Sequence, residues 1–206
     1  MYKLIIFDVD GTLIDTTDLV KETYQYAISE GLGRKLTDEE LEGLVGVPTT
    51  TAIAMYIKKD VEKAVDRYFT RIFEVFSKDV KPFDGIVELL EELKRCRLQC
   101  SIITSRYKSE VANDAALNSI LKYFTSVICF EDTQRHKPDP EPITKLLEAA
   151  GYRASEAIYI GDTYSDYLCA ANAGVEFALA AWGAKLDDRI KADYTLGKPS
   201  ELLMIL

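Results

Sequence analysis

The chain has 206 residues, 48% of them hydrophobic and 29% charged. That is the composition of a globular protein, and it excludes disorder, collagen-like repeats and low complexity. Lys and Arg number 25 against 34 Asp and Glu, a net charge of -9, which argues against nucleic acid and anionic membrane surfaces as partners. A phosphate bound by such a chain must be held locally against the protein's own field, and a bound cation would help.

In chain order, the first element is a strand. Lys3 to Asp8 is a short apolar run rich in β-branched residues that ends in acid and glycine, the pattern of a strand buried on both faces of a parallel sheet. The segment from Thr16 to Asp79 contains no strand pattern. Val61, Ala64, Val65, Tyr68, Phe69, Ile72, Phe73 and Phe76 recur at three and four residues as one wide helical stripe, and Leu19, Val20, Thr23, Ala27 and Ile28 do so more weakly. Gly31 to Gly33 and Gly46 to Pro48 punctuate the interval.

Beyond it, helical patterns at Gly85–Arg95, Lys108–Asn118, Pro140–Ala150 and Ser165–Ala173 alternate with apolar runs at Gln99–Thr104, Ser126–Phe130, Ala157–Asp162 and Val175–Ala180. A weaker strand is expected at Ala192–Leu196 and a closing helix from Pro199 to Leu206. The fold class is therefore α/β, a Rossmann-like parallel sheet core (1–15 and 80–206) with an inserted all-helical domain at 16–79.

Cys96, Cys100, Cys129 and Cys169 form no C-x-x-C pair, and His136 is the only histidine. These fit a reduced, cytoplasmic chain with structural thiols. No apolar stretch approaches the ~18 residues of a membrane span, and the first apolar run is too short for a signal peptide.

Ligands of open α/β sheets bind beyond the carboxyl ends of the strands. The first strand delivers Asp8-Val9-Asp10-Gly11-Thr12-Leu13 there, the second Thr104-Ser105-Arg106, and the fourth Gly161-Asp162-Thr163-Tyr164-Ser165-Asp166; His136-Lys137-Pro138 follows the third. Singly, each has a plainer reading. Asp10 and Gly11 make a turn, Asp162 and Thr163 cap a helix, and Lys137 is a surface lysine. Jointly they bring four carboxylates, hydroxyls and a lysine to one rim, and Asp8 ends a buried apolar strand, where an acid costs free energy unless compensated. Acids without His or Cys favour a hard cation such as Mg²⁺. With a lysine and a hydroxyl they make a phosphate cradle in which one carboxylate can attack phosphorus and a second can serve as acid and base.

At these residues the chain resembles the haloacid dehalogenase superfamily, and within it the phosphoglycolate-phosphatase-like branch. Asp8 to Leu13 is similar to the first motif of that family, the remaining motifs follow in order, and the helical insertion looks like a cap of the first (C1) type. The resemblance implies Asp8 as nucleophile and Mg²⁺ ligand, and Asp10 as general acid/base with its backbone carbonyl on the metal. It implies Thr104 and the Ser105 amide as phosphoryl-binding groups and Lys137 as their electrostatic partner. Asp162 is implied as a further metal ligand, and Asp166 as a group at the metal, directly or through water. Arg106 is a candidate substrate contact or a solvated arginine, and Thr49 and Thr50 are candidate contacts or simply the start of a helix.

The implied partner is a small phosphorylated metabolite. Asp10 argues against a dehalogenase and against a phosphonatase, for which Lys21 would otherwise be available. A sugar phosphomutase or a pyrophosphatase stays open within the family, as does a non-catalytic phospho-ligand-binding module outside it. Oligomeric state, a homo-oligomer included, is not legible.

Overall fold

Four consecutive apolar residues leave a strand no polar face to turn to water, so such a strand belongs where both faces are covered. In the computed structural model, which describes residues 2–76, 80–184 and 187–206, Leu4–Phe7 is wholly buried and forms β1. It is joined by β2 (Gln99–Ile103), β3 (Ser126–Ile128), β4 (Ala157–Gly161), β5 (Glu176–Ala180) and β6 (Tyr194–Leu196). All pairs are parallel, in the order β3-β2-β1-β4-β5-β6. Phe7 stands opposite Ile102 of β2 and Ile160 of β4. The three central strands therefore end level, and the residues after them share one rim.

The helices are α1 (Thr17–Leu32), α2 (Asp38–Glu42), α3 (Thr49–Tyr56), α4 (Val61–Phe76), α5 (Ile86–Arg95), α6 (Lys108–Asn113), α7 (Ala115–Ile120), α8 (Glu141–Ala150) and α9 (Tyr164–Ala173). The two-residue alternation of β1 distributes them. Ile5 and Phe7 share an apolar cluster with Leu89 and Leu93 of α5 and Leu117 of α7, whereas Leu4 and Ile6 pack with Ile143 and Leu146 of α8 and Ala170 of α9.

Between β1 and α5 the described residues form helices and turns. Helices α1 and α4 pack through Tyr24 and Tyr68, whose ring centroids lie 4.7 Å apart, and their buried residues are continuous with the Ile5/Phe7 face of the sheet. Residues 77–79, at the end of the expected insertion, lie outside the described residues.

Two elements differ from expectation. The helix expected over Lys108–Asn118 breaks at Asp114, whose backbone is extended (φ -86°, ψ 105°) and whose carboxylate accepts the Leu117 N–H at 2.8 Å as the cap of α7. Aspartate bonds to nearby backbone more readily than it continues a helix. The C-terminal segment is a 3-10 turn, Pro199–Met204, rather than an α-helix. Its three-residue period sets the buried Pro199 and Leu202 on one side, and so short a segment has little propagation to offset an α-helical nucleus. All four cysteines are free, Cys96 exposed and the rest buried. Among the described residues no helix is long and apolar enough to cross a membrane.

Candidate active site

The chain leaves β1 through a tight corner. The Asp8 amide still donates to the Ile160 carbonyl at 2.9 Å, and Leu13 and Ile14 then bond back to the Val9 carbonyl at 2.9 Å. Gly11 turns the corner at φ +73°, and a Cβ there would collide with the Asp162 carboxylate. From the other side, a Cβ on Gly183 would collide with the Gly11 carbonyl. The corner is tied down by Thr12, which donates to Asp162 Oδ1 at 3.1 Å, and by Trp182, whose Nε1–H donates to the Thr12 carbonyl at 2.9 Å.

Asp8, Asp162 and Asp166 converge beyond this corner, one carboxylate oxygen of each lying within 4.8 Å of the others, and all three are buried. Lys137 reaches in from the loop after β3. Its Nζ donates to Asp8 Oδ1 at 2.7 Å, to Asp166 Oδ1 at 2.7 Å and to the Tyr159 hydroxyl at 3.3 Å. Asp166, third residue of α9, is saturated. Its Oδ1 also accepts from Tyr159 at 2.8 Å, and its Oδ2 accepts the amide and hydroxyl of the α9 cap, Thr163. Among the described residues Asp8 Oδ2 and Asp162 Oδ2 make no hydrogen bond and are open to a ligand.

Burial pushes the Asp8 carboxyl up, to about 7, against the pull of Lys137 and with the push of Asp166 and Asp10. Burial, together with the charges of Asp166 and Asp8, holds Asp162 well above the carboxylate range. Burial works the same way on Asp166, but Lys137 and the Thr163 and Tyr159 hydroxyls outweigh it and the net shift is downward. Lys137 is desolvated too, yet Asp166 and Asp8 raise it and keep it charged. Three buried carboxylates thus face one ammonium, and the donor set is all oxygen. A divalent hard cation fits both the charge deficit and the donors.

On the neighbouring strand end, the Thr104 hydroxyl accepts the Arg106 amide at 3.2 Å. The Ser105 side chain donates to the Gly46 carbonyl at 2.8 Å, fixing the helical insertion to the rim, and the Ser105 amide makes no hydrogen bond among the described residues. Asp10 stands apart from the three acids. Arg106 grips its carboxylate with Nε at 2.9 Å and Nη2 at 2.6 Å, and the Thr16 hydroxyl donates to it as well. Burial raises Asp10, but Arg106 and Thr16 reverse the sign and its pKa lies below the usual range.

Arg106 is not solvated. It is buried, its Nη1 donates to Asp114 at 2.6 Å, and its guanidinium lies 4.2 Å from the Phe76 ring centroid. Thr50 bonds the Tyr107 hydroxyl at 2.7 Å at the start of α3. Lys21 pairs with Glu42 at 2.6 Å, and His136 stacks on Phe130 with centroids 3.9 Å apart.

Sequence reasoning did not find Tyr159, Asp114 or Glu110. The break at Asp114 had a local signal, an Asn113-Asp114 pair of weak helix formers followed by Ala115-Ala116-Leu117. Tyr159 and Glu110 had none, because only tertiary structure shows what they face.

The whole chain has known counterparts. The family model described as haloacid dehalogenase-like hydrolase matches residues 5–180. The pyrophosphatase PpaX of Bacillus velezensis is 31% identical over 204 residues, 98% of this chain and 94% of that protein. Among solved structures, a Lactobacillus plantarum protein provisionally named a phosphoglycolate phosphatase matches over 100% of both chains, with a TM-score of 0.89 at 23% identity. CbbY from Rhodobacter sphaeroides, solved in complex with phosphate, matches over 98% of this chain and 96% of its own, with a TM-score of 0.84 at 19% identity.

Proposed function

Because the chain belongs to the haloacid dehalogenase-like hydrolase family, we propose that it is a Mg²⁺-dependent phosphatase. Its reaction in this reading is the hydrolysis of a small phosphorylated metabolite through an aspartyl-phosphate on Asp8. The observation that carries this reading is the state of Asp8, which has one oxygen held by Lys137 and the other free, at the end of a buried strand and in a cluster short of positive charge. Such a carboxylate is oriented for in-line attack on phosphorus.

Thr104 and the Ser105 amide hold the transferring phosphoryl group, and Lys137 offsets its charge and that of Asp8. Asp8, Asp162 and the Asp10 carbonyl are the groups that would hold Mg²⁺, with Asp166, whose oxygens are taken by Lys137, Tyr159 and Thr163, reaching it through water; the bound ion would screen the phosphoryl oxygens from the carboxylates. Asp166 acts in addition through Lys137, which it fixes in place. Asp10, ionised while Arg106 grips it, takes up a proton from solvent when the substrate displaces that contact, passes it to the leaving oxygen and recovers one from the attacking water. Residues 16–79 serve as the cap domain over a core of 1–15 and 80–206.

The leaving group is small in this reading. The space beside Asp10 lies between α1, α4 and the rim and is lined by Thr17, Tyr24, Tyr68, Phe76 and Glu110. A phosphoglycolate-like monoester fits the motif set. The pyrophosphatase name of the relative puts inorganic pyrophosphate beside it as the second substrate to test.

The test is phosphate release with Mg²⁺ and with a chelator, across phosphoglycolate, pyrophosphate, hexose phosphates, nucleotides and p-nitrophenyl phosphate. Mg²⁺-dependent release from a compact substrate is expected. Silence across the panel from folded, metal-supplied protein would overturn the reading in favour of a binding role.

A further inference from the structure

The cavity beside Asp10 is lined by a buried hydroxyl that, among the described residues, has no hydrogen-bond partner, and by an acid with one oxygen to spare. Thr17, the first residue of α1, has its Oγ1 buried and unpartnered. Glu110 of α6 is 2% exposed and lines the same cavity. One of its oxygens accepts the Tyr107 amide at 2.8 Å, while the other makes no hydrogen bond among the described residues. Among the described residues it has no ion pair, and the Arg106 hydrogen bonds go to Asp10 and Asp114. Burial holds the Glu110 carboxyl at about 7, so near neutrality it has a proton to donate.

A buried polar group left unpaired is destabilising, and the Thr17 hydroxyl is one, bordering the same space as Glu110 next to Asp10. We propose that Glu110 and Thr17 are specificity residues, which together grip an oxygen-bearing anionic end of a compact leaving group, a carboxylate or a second phosphate. The inference rests on the phosphatase reading and adds the substrate class that the cavity selects. Glu110 and Thr17 donate to the anion's oxygens, and the Arg106 charge beside them favours it. A compact leaving group without such oxygens offers neither residue a hydrogen bond and is selected against.

The experiment compares phosphoglycolate and pyrophosphate with ethyl phosphate, which keeps the two carbons of the first but lacks both carboxylate oxygens. Each is measured as a KM, or as a Ki where it is not turned over, in Thr17→Val, Glu110→Gln and Glu110→Ala. Thr17→Val and Glu110→Ala are expected to raise KM for the anionic substrate about tenfold, the worth of one hydrogen bond to a charged group, with kcat little changed and ethyl phosphate unaffected. Glu110→Gln keeps both an acceptor for the Tyr107 amide and a donor to the cavity, and is expected to retain the wild-type KM.

Equal losses on all three substrates would assign Glu110 and Thr17 a structural role and overturn the proposal, as would wild-type KM values in Thr17→Val. If Glu110→Ala does not fold, Thr17→Val and Glu110→Gln decide. Asp8→Asn separates the two levels. Turnover in Asp8→Asn sinks the phosphatase reading itself, whereas a dead Asp8→Asn beside a wild-type-like Thr17→Val sinks only the leaving-group assignment.

Discussion

The two sides of Asp10 are built on opposite plans. Toward the sheet, Asp8 and Asp162 follow β1 and β4, Lys137 comes from the loop after β3 and Asp166 from the first turn of α9, and Lys137, Asp166 and Tyr159 satisfy one another. Toward the helical insertion, the walls include α1, α4 and α6; there the Thr17 hydroxyl has no partner among the described residues, and Glu110 has one oxygen on the Tyr107 amide and one to spare. The sheet side is rigid because each strand is pinned by its neighbours. The helical side is assembled from two parts of the chain, and its unmet groups await a third party. Fixed chemistry and open recognition thus meet at one aspartate.

The largest blow to the sheet side is Asp8→Asn. Phosphate release is expected to fall at least about a thousandfold, with circular dichroism and melting unchanged or improved, because a buried acid under strain from its neighbours has been neutralised. Activity near wild type would remove Asp8 as nucleophile. Lys137→Met comes next. It leaves Asp8 and Asp166 without their cation, and urea unfolding at pH 7.5 is expected to show a loss of about 3–5 kcal/mol, the usual cost of breaking a buried pair from one side. Adding Asp166→Asn should restore part of it. No recovery would mean that the lysine stabilises the fold by other means.

The helical side is probed more gently by pH. Glu110 lies at about 7 in the folded protein, against the usual 4.5. The groups that set this are burial first, then the Tyr107 amide and Arg106 pulling down and Asp10 and Glu131 pushing up; the phenols of Tyr24 on α1 and Tyr68 on α4 stay neutral in this range. Below pH 4.5 the carboxyl is protonated folded or unfolded. Between 4.5 and 7 the unfolded chain releases the proton while the folded one keeps it, so stability declines as pH rises, by about 3 kcal/mol in all. Glu110→Gln lacks this decline. Its stability relative to wild type is expected to increase from pH 5 to pH 8, and a pH-independent difference would show that burial does not hold the acid up. The smallest effect is expected from Trp182→Phe, which removes one hydrogen bond to Thr12 and should cost about 1 kcal/mol with little change in KM.

The same contrast explains what could be read from the chain in advance. Strands of unbroken apolar residues, each followed by polar ones, announce both the parallel sheet and the contents of its rim, because local pattern and global position coincide there. Asp8, Thr104, Lys137 and Asp162 were visible for that reason. Arg106 was visible as a residue but not as a clamp, since its partners Asp10 and Asp114 lie 96 and 8 positions away. Glu110 looks like an ordinary first-turn acid of a helix, and it is one, with an oxygen on the Tyr107 amide. That its second oxygen borders a cavity depends on how α1 and α4 settle over α6, which no local pattern encodes. Phe69, Phe73, Tyr68 and Phe76 read as interior of the helical insertion. Tyr68 and Phe76 are buried as expected, but they also wall the cavity.

The glycine contact at the corner after β1 bears on how such a protein can change over time. Gly11 and Gly183 come from opposite ends of the chain, and neither position accepts even a methyl group without driving it into Asp162 or into the other's backbone. Drift is therefore nearly closed off on that flank of the phosphoryl site. Replacements around Thr17, Tyr68 and Glu110 meet no such barrier: a change of side chain there reshapes an open space and leaves the cluster of Asp8, Asp162 and Asp166 where it is, so under the proposed function this is the side on which new substrates would be acquired.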